Sequence, residues 1–335
     1  MFANDVVIRS DVITDDDLKK DVIVEGLADI VPPKGADVYV HYHGTLLDGT
    51  VFDSSYERSQ PFNFKLGERA VISGWDLGVA TMKLGEICHL ICPPQHAYGD
   101  RDSGKIPANS TLHFRVELLG FRPAGLFNAE DVEESAKMVS EYKNYGNLFI
   151  KAKRFDGAVE NYVNCRTLTS EVLKNELTDE QKEAVKLADR GAALNLAFVN
   201  LKAGHFGDVK RYCTAVLNED PENIKAIFRL GLAYRGMGEF DEAVAEFERI
   251  LTIDPNQVRT ANELKTTRKM ANRANQKSKK ASRAAFRAMA EDLEREAEAK
   301  KEVEAAKEEE TAEEEEDLVE KAMREGVEEA IEESA

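Results

Sequence analysis

Hydrophobic and polar residues alternate along residues 17–122 with the period of two that is typical of β-strands. In the segment VYVHYHG, Val38, Val40 and Tyr42 share one face of a predicted strand, and the residues between them share the other. The dipeptide Asp48-Gly49 then gives the turn signal of a hairpin. Further strands are predicted at 62–66, 87–92 and 112–119, and a short helix is predicted after Gly74. The pattern indicates an α+β domain with a mostly antiparallel sheet.

From about residue 130 the hydrophobic period becomes helical and the sequence repeats itself. The separation between Pro221 and Pro255 is 34 residues, as is the separation between Asn195 and Arg229. This period is typical of the tetratricopeptide repeat, a helix pair that stacks on its neighbours into a superhelix with a concave face. Three repeats are expected, at about 139–172, 190–223 and 224–257, with an insertion around 173–189.

Charge is concentrated in the last third of the chain. Residues 265–287 hold nine basic side chains and no acidic one, whereas residues 291–335 hold 21 acidic and six basic side chains. We expect residues 258–290 to form a basic helix that caps the last repeat, and residues 291–335 to form an acidic tail, either a solvated helix or disordered. The remainder is moderately acidic, although the net charge is −18, and this argues against nucleic-acid binding.

The cysteines and histidines indicate neither a disulfide framework nor a metal site. The cysteines form no CxxC pair, and the histidines lack ligand spacing, so we expect reduced thiols and no metal or cofactor. The first residues lack the basic and apolar regions of a secretory signal, and no segment has the length and hydropathy of a membrane span. These features predict a protein of the cytoplasm, with the nucleus as a second location, that binds no membrane.

Four segments of the first domain resemble the FKBP family of macrolide-binding peptidyl-prolyl isomerases. They read VHYHGTLLDGTVFDSS, FKLGERAVISGWDLGVATMKLGE, PPQHAYG and IPANSTLHFRVELL, and they cover nearly all of residues 17–122 in order. The resemblance implies an FKBP domain, an antiparallel sheet wrapped on a short helix, at 17–122. An N-terminal tail at 1–16 precedes this domain, a linker at 123–129 follows it, and an all-α superhelix of repeats occupies 130–257.

The same resemblance implies a pocket that isomerises X-Pro bonds in proline-containing client proteins. The residues to which it assigns catalysis are Tyr42, Phe52, Asp53, Trp75, Tyr98 and Phe114. Those to which it assigns contact with the substrate or with a macrolide such as tacrolimus or rapamycin are Arg58, Phe62, Val71, Ile72 and Ile106. Two rim features depart from the family. Ala70 replaces a frequent Glu, and the loop between Gly99 and Ile106 is shorter by one residue and more charged, which bears on substrate preference and drug affinity.

The repeats resemble those of co-chaperones that bind the acidic Glu-Glu-Val-Asp C-terminus of heat-shock proteins. In that family five polar side chains on the first helices of the repeats form a carboxylate clamp. The matching positions here are Lys143, Asn147, Asn195, Lys225 and Arg229. The resemblance implies a chaperone of the ninety-kilodalton class as partner, although the clamp residues themselves fit the seventy-kilodalton class equally well.

Three alternatives remain open at the level of sequence. The first domain could be a catalytically silent adaptor, although its aromatic residues and Asp53 favour an enzyme. The repeat groove could hold unfolded chains, although the clamp makes it polar. The basic segment, with Met270, Phe286 and Met289 as apolar anchors, could bind calmodulin, as in large relatives, although a capping helix with solvated charges is the simpler interpretation.

Overall fold

A computed structural model describes residues 5–124 and 132–332, so most of the expected linker lies outside the described residues. Seven strands form one antiparallel sheet: β1 (Arg9–Val12), β2 (Lys19–Val24), β3 (Asp37–Thr45), β4 (Val51–Ser54), β5 (Phe62–Lys65), β6 (Ile87–Cys92) and β7 (Leu112–Arg122). The order is β1-β2-β6-β7-β3-β4, and β5 also pairs with β3. Helix α1 (Ser73–Val79) packs on one face, which confirms the α+β class.

The predicted hairpin lies between β3 and β4. Gly49 has a φ of 87°, a conformation that glycine adopts without strain, and Asp48 Oδ1 accepts a hydrogen bond from the Thr50 N–H at 2.8 Å. The first strand, β1, lies within the segment expected to be a tail. It pairs with β2, so residues 9–12 are part of the sheet, where they form an edge strand.

The core of this domain lies between α1 and one face of the sheet. Val38, Val40 and Tyr42 all point into it, as the alternation predicts. The helix lies close to β6 because Gly78 has no side chain: a Cβ atom there would be 2.4 Å from Leu90 Cδ1. This close approach brings the Trp75 side chain, one turn earlier, into the sheet face.

The repeat region consists of six helices that form three pairs. They are α2 (Val132–Lys151) with α3 (Phe155–Val172), α4 (Asp179–Ala203) with α5 (Phe206–Glu219), and α6 (Ile224–Met237) with α7 (Phe240–Ile253). Most of the expected insertion is not a loop, because α4 begins about three turns before the predicted repeat. A capping box explains this early start: Thr178 Oγ1 accepts from the Gln181 N–H, and Gln181 Oε1 accepts from the Thr178 N–H.

One helix, α8 (Val258–Glu332), contains both the basic segment and most of the acidic one. Its residues through Leu264 belong to a compact unit with the sheet and the repeats, and its residues from 265 onward form a second unit. The side chain of Phe286 is 77% exposed in this second unit. Among the described residues, no helix combines the length and hydropathy needed to cross a bilayer.

The first repeat packs against strand β7 of the sheet domain. Its side chains donate hydrogen bonds to main-chain carbonyl groups and to one carboxylate of this strand. Asn161 Nδ2 donates to the Leu119 carbonyl at 2.9 Å, and the Tyr142 hydroxyl donates to the Phe121 carbonyl at 3.0 Å. Arg154 donates to Glu117 Oε1 through Nε (2.9 Å) and Nη2 (2.6 Å). These bonds join the two domains directly, independently of the segment between them.

Candidate functional site

A pocket of about 490 Å³ opens between α1 and the strands of the sheet domain. Ten of the eleven pocket residues expected from the resemblance line it: Tyr42, Phe52, Asp53, Phe62, Val71, Ile72, Trp75, Tyr98, Ile106 and Phe114. The eleventh, Arg58, lies behind the wall and bonds to Asp53 and Tyr42. The structure therefore brings together residues from six separate stretches of the chain.

Trp75 lies at the floor of the pocket and is only 3% exposed. Its ring makes edge contacts with Tyr42 and Phe114, at centroid distances of 5.0 and 5.2 Å, and with Phe62 at 5.9 Å. Phe64, which the sequence did not single out, supports the indole at 5.7 Å. These rings leave little room for water near the floor, so a group bound there experiences a low local dielectric.

One wall carries a charged group among the aromatic rings. Asp53 Oδ2 accepts a hydrogen bond from the Tyr42 hydroxyl, and Asp53 Oδ1 accepts from Arg58 Nη1 at 2.5 Å. Burial opposes ionisation of Asp53, but the bonds from Tyr42 and Arg58 outweigh it and lower its pKa. Burial and the Asp53 contact raise the pKa of Tyr42 to about 12, so that its hydroxyl keeps its proton at neutral pH. The wall thus presents a fixed carboxylate.

The loop before α1 offers the pocket a main-chain donor. Ile72 is the residue preceding the helix, with φ −59° and ψ 148°, and within the described chain its N–H has no hydrogen-bond acceptor. Asp76 holds this loop in place, because its carboxylate accepts from the N–H groups of Gly67 (2.9 Å) and Arg69 (3.1 Å). Asp76 was not among the predicted residues; the signal that could have found it is a carboxylate in the first turn of a short helix, directly after Trp75.

The rim loop that departs from the family also lines the pocket, through Ser103, Gly104 and Lys105. Ser103 and Ile106 exchange two main-chain hydrogen bonds of 2.9 Å, so the loop is a closed turn. Tyr98 stands at its base and is 44% exposed, with its hydroxyl at the mouth of the pocket. A substrate entering the pocket would contact Lys105 and Tyr98 before it reached the floor.

The five expected clamp residues lie on the first helices of the three repeats, and of the five only Lys225 and Arg229 line a common cavity in the part of the chain that the structure describes. Asn147 on α2 and Asn195 on α4 are joined by a hydrogen bond of 3.0 Å. Lys143 runs along α4, since a Cβ atom at Gly191 would be 3.3 Å from its Cδ. Arg229 Nη1 donates to the carbonyl of Leu194 at 2.6 Å. Lys225, one turn away on α6, lines the same groove of the repeats as Arg229.

The groove widens into a cavity of about 690 Å³ between α4, α6 and the start of α8. Two cations that the sequence did not indicate, Lys202 and Arg259, line it together with Lys225 and Arg229. Arg259 stacks 4.6 Å above the Phe228 ring, and Lys202 lies 5.3 Å above a second phenyl ring, that of Phe198. Arg259 could be found only from the fold, because α8 lies outside the repeat register, whereas Lys202 lies on α4 within the second repeat.

The groove has an excess of positive charge that the protein itself does not neutralise. In the part of the chain that the structure describes, none of Lys143, Lys225, Arg229 and Arg259 forms a salt bridge. Burial lowers the pKa of Arg229, and the nearby Arg259 guanidinium lowers it further. A desolvated guanidinium beside a like charge is stabilised by an anion, so the groove has the electrostatics of an anion-binding site.

Comparison with known proteins matches both domains. Residues 29–119 match the family described as FKBP-type peptidyl-prolyl cis-trans isomerase, and residues 200–266 match the tetratricopeptide repeat. Bovine peptidyl-prolyl cis-trans isomerase FKBP4 is 26% identical over 394 residues, which cover 83% of this chain and 85% of that protein. Human FKBP4 is 48% identical over 118 residues, or 35% of this chain and 26% of that protein.

Among solved structures, the three FKBP domains of wheat FKBP73 are 41% identical over 32% of this chain and 48% of that chain, with a TM-score of 0.32. The family match and the FKBP4 relatives agree with the resemblance read from the sequence. The chain therefore contains an FKBP-type peptidyl-prolyl isomerase domain followed by tetratricopeptide repeats, and it is an isomerase with the architecture of a co-chaperone.

Proposed function

We propose that the isomerase domain twists X-Pro bonds in the Trp75 pocket while the repeats hold the acidic C-terminus of a heat-shock chaperone of the ninety-kilodalton class. The chaperone would present proline-containing clients, and the repeats would keep the isomerase beside them. The observation that supports catalysis is the aromatic pocket with one fixed carboxylate. The observation that supports the clamp is that Lys225, Arg229 and Arg259 line one groove and form no salt bridge within the part of the chain that the structure describes.

Prolyl isomerisation needs no nucleophile, because no covalent bond breaks. The barrier of about 18–20 kcal/mol is the loss of amide resonance on twisting. A millisecond turnover requires that about 7 kcal/mol of this barrier be removed. The twisted amide has lost charge separation, so an aromatic, water-poor floor at Trp75 binds it better than it binds the planar amide.

The polar groups of the pocket then hold the peptide on either side of the proline. The Ile72 N–H and the Tyr98 hydroxyl, both of residues that line the pocket, would donate to substrate carbonyl groups. The Asp53 carboxylate, held by Tyr42 and Arg58, faces the same space and would orient the carbonyl that rotates. The same floor and donors suit a macrolide with a proline-like ring, so tacrolimus or rapamycin would compete with substrate.

The clamp would take a terminal aspartate, which carries two carboxylates. Lys143 and Asn147 would contribute from α2, Asn195 from α4, and Lys225 and Arg229 from α6. Several cations and an amide donor at fixed positions suit two carboxylates only a few ångströms apart. The apolar surface of Phe198 and Phe228 beside these cations would favour a peptide over a free anion.

A second candidate concerns the basic segment 264–290, which we propose as a calmodulin-binding segment. Met270, Phe286 and Met289 are 39%, 77% and 62% exposed, as a helix that offers apolar anchors requires. Titration of the full chain with calcium-loaded calmodulin would test it. Loss of binding in Phe286→Glu would support the segment, and equal binding would contradict it.

A protease-coupled assay with a proline-containing chromogenic peptide tests the enzymatic half of the proposal. An active enzyme accelerates cis-to-trans conversion in proportion to its concentration, and Trp75→Leu should lower kcat/KM at least tenfold because the floor is lost. Ile8→Leu is a matched control, since Ile8 is 58% exposed at the sheet edge. A protein that folds but does not accelerate the reaction would be a silent adaptor.

A further inference from the structure

Tyr162 lies on α3, behind the groove, and is not one of the five clamp residues. Its hydroxyl donates a hydrogen bond to Asn147 Oδ1 at 2.8 Å. Asn195 Nδ2 donates to the oxygen of the Tyr162 hydroxyl at 2.9 Å and to Asn147 Oδ1 at 3.0 Å. The three side chains therefore form a closed triangle, in which one buried hydroxyl touches both clamp amides.

The ring that carries this hydroxyl has a fixed position. Tyr162 is fully buried, and a Cβ atom at Gly146 would be 2.5 Å from its Cε1 atom. The ring therefore lies directly on the backbone of α2, one residue before Asn147, and only glycine leaves room for it. Burial raises the pKa of Tyr162 to about 12, so the hydroxyl keeps a proton to donate at neutral pH.

The triangle gives the two amides different tasks. Asn147 Oδ1 accepts two hydrogen bonds inside it, and Asn195 Nδ2 is the donor to both of the other corners. Within the described chain, Asn147 Nδ2 donates to no other group, so its two hydrogens are available to the groove. An amide has no preference of its own between its two ends, so the orientation depends on the donors that meet its oxygen.

We propose that Tyr162 is a positioning residue of the peptide site. Its hydroxyl turns Asn147 so that Nδ2 donates to the terminal carboxylate of the ligand, and Asn195 acts as the brace between them. The inference rests on the proposed carboxylate clamp, whose ligand is a peptide ending in an acidic residue with a free carboxylate.

Tyr162→Phe removes the hydroxyl and keeps the ring. The full-length protein is titrated by calorimetry with a peptide ending in Glu-Glu-Val-Asp, as free acid and as C-terminal amide. We expect the variant to bind the acid about fivefold more weakly, the usual effect of one neutral hydrogen bond, and to bind the amide as the wild type does. Tyr145→Phe is the matched control, because its hydroxyl bonds Glu141 on α2, outside the triangle.

Asn147→Asp tests the orientation itself. The aspartate keeps an acceptor oxygen for Tyr162 and places its second oxygen where Nδ2 was, so it repels the ligand carboxylate and should abolish binding of the acid. Tyr162→Phe should shift the side-chain amide signals of both Asn147 and Asn195 in the ligand-free NMR spectrum, because each loses a hydrogen-bond partner, whereas Tyr145→Phe should leave them unchanged.

The outcomes separate this inference from the clamp on which it rests. If the wild type binds the acid and Tyr162→Phe binds it equally well, the positioning role is wrong and the clamp stands. If the ligand-free amide signals do not move in Tyr162→Phe, the triangle is absent in solution and the inference is overturned. A wild type that binds neither peptide would overturn the clamp and the inference together.

Discussion

Replacing Asp53 by asparagine tests whether the carboxylate in the pocket wall contributes to catalysis. The carboxylate accepts from the Tyr42 hydroxyl with one oxygen and from Arg58 Nη1 with the other. Asparagine keeps the size of the side chain but offers one acceptor in place of two, so its NH₂ group must face one of these donors. The substitution therefore removes a charge and disrupts the orientation of the wall without opening a cavity.

The expected magnitude follows from the two bonds that are lost or weakened. A hydrogen bond to a charged group contributes about 1.5–3 kcal/mol. The Asp53 side chain is 42% exposed, so solvent screening reduces this contribution, and we take the lower end of the range. About 1.4 kcal/mol corresponds to a tenfold change in rate. We expect kcat/KM to fall about tenfold, because the loss is in orientation of the transition state.

The assay is the protease-coupled conversion of a chromogenic X-Pro peptide at low temperature, where the uncatalysed reaction is slow. Asp48→Asn is the matched control. Asp48 belongs to the same domain, and its carboxylate accepts a hydrogen bond from the Thr50 N–H, as that of Asp53 does from the Ser54 N–H. Asp48 lies in the hairpin outside the pocket. Circular dichroism of both variants verifies that the sheet domain is folded.

A folded Asp53→Asn protein with kcat/KM within about twofold of the wild type would refute this reasoning, because twofold corresponds to only about 0.4 kcal/mol. The aromatic floor alone would then account for catalysis, and the carboxylate would serve only to hold Tyr42.

Three further predictions concern stability and reactivity. Arg154→Ala should lower the free energy of unfolding in urea by about 2–3 kcal/mol, because the Glu117 side chain, only 13% exposed, is left without its partner. Arg211→Ala breaks an exposed pair and should cost less than about 1 kcal/mol. Burial raises the pKa of Glu160 to about 7, so its contribution to stability is complete below its ordinary pKa and is lost as the pH rises through 7. The wild type should lose on the order of 2 kcal/mol between pH 5 and pH 8, and Glu160→Gln should not; urea titrations at both pH values measure the difference. Burial raises the pKa of Cys165 to about 12, so thiol reagents should modify it in urea at pH 8 but not in the folded protein.

The strands of the sheet domain could be predicted from the sequence because alternation determines which face each residue occupies. Tyr42 and its neighbours in β3 point into the core as the period of two requires. The convergence of Tyr42, Trp75 and Phe114 came from the family resemblance, since periodicity carries no information about which strands meet. The register of β3 with β7, in which Gly44 is opposite Phe114, is a tertiary property.

The features that the sequence did not reveal depend on packing between distant segments. Tyr162 reads as an ordinary aromatic of a repeat, and only the fold places its hydroxyl between two amides. Arg259 follows the last repeat, so the repeat register assigns it no role, yet it lines the same cavity as Arg229. The early start of α4 had a signal in the sequence, because Thr178 and Gln181 have the spacing of a capping box. The 34-residue repeat pattern places the start of the helix later.

The central claim is that one chain isomerises prolines in a ligand that its repeats hold by an acidic C-terminus. A single substrate tests both halves: a chromogenic X-Pro segment, a flexible glycine-serine linker, and a terminal Glu-Glu-Val-Asp. A linker of about 25 residues spans roughly 25–30 Å on average, and a series of lengths covers the separation of the two sites.

The measurement compares kcat/KM for this substrate as the free acid and as the C-terminal amide, at concentrations well below KM. Tethering through the clamp raises the local concentration of the proline at the pocket, so the acid should react at least tenfold faster than the amide. Arg229→Ala should remove the difference and leave the rate for the amide unchanged. Equal rates for acid and amide at every linker length would contradict the account.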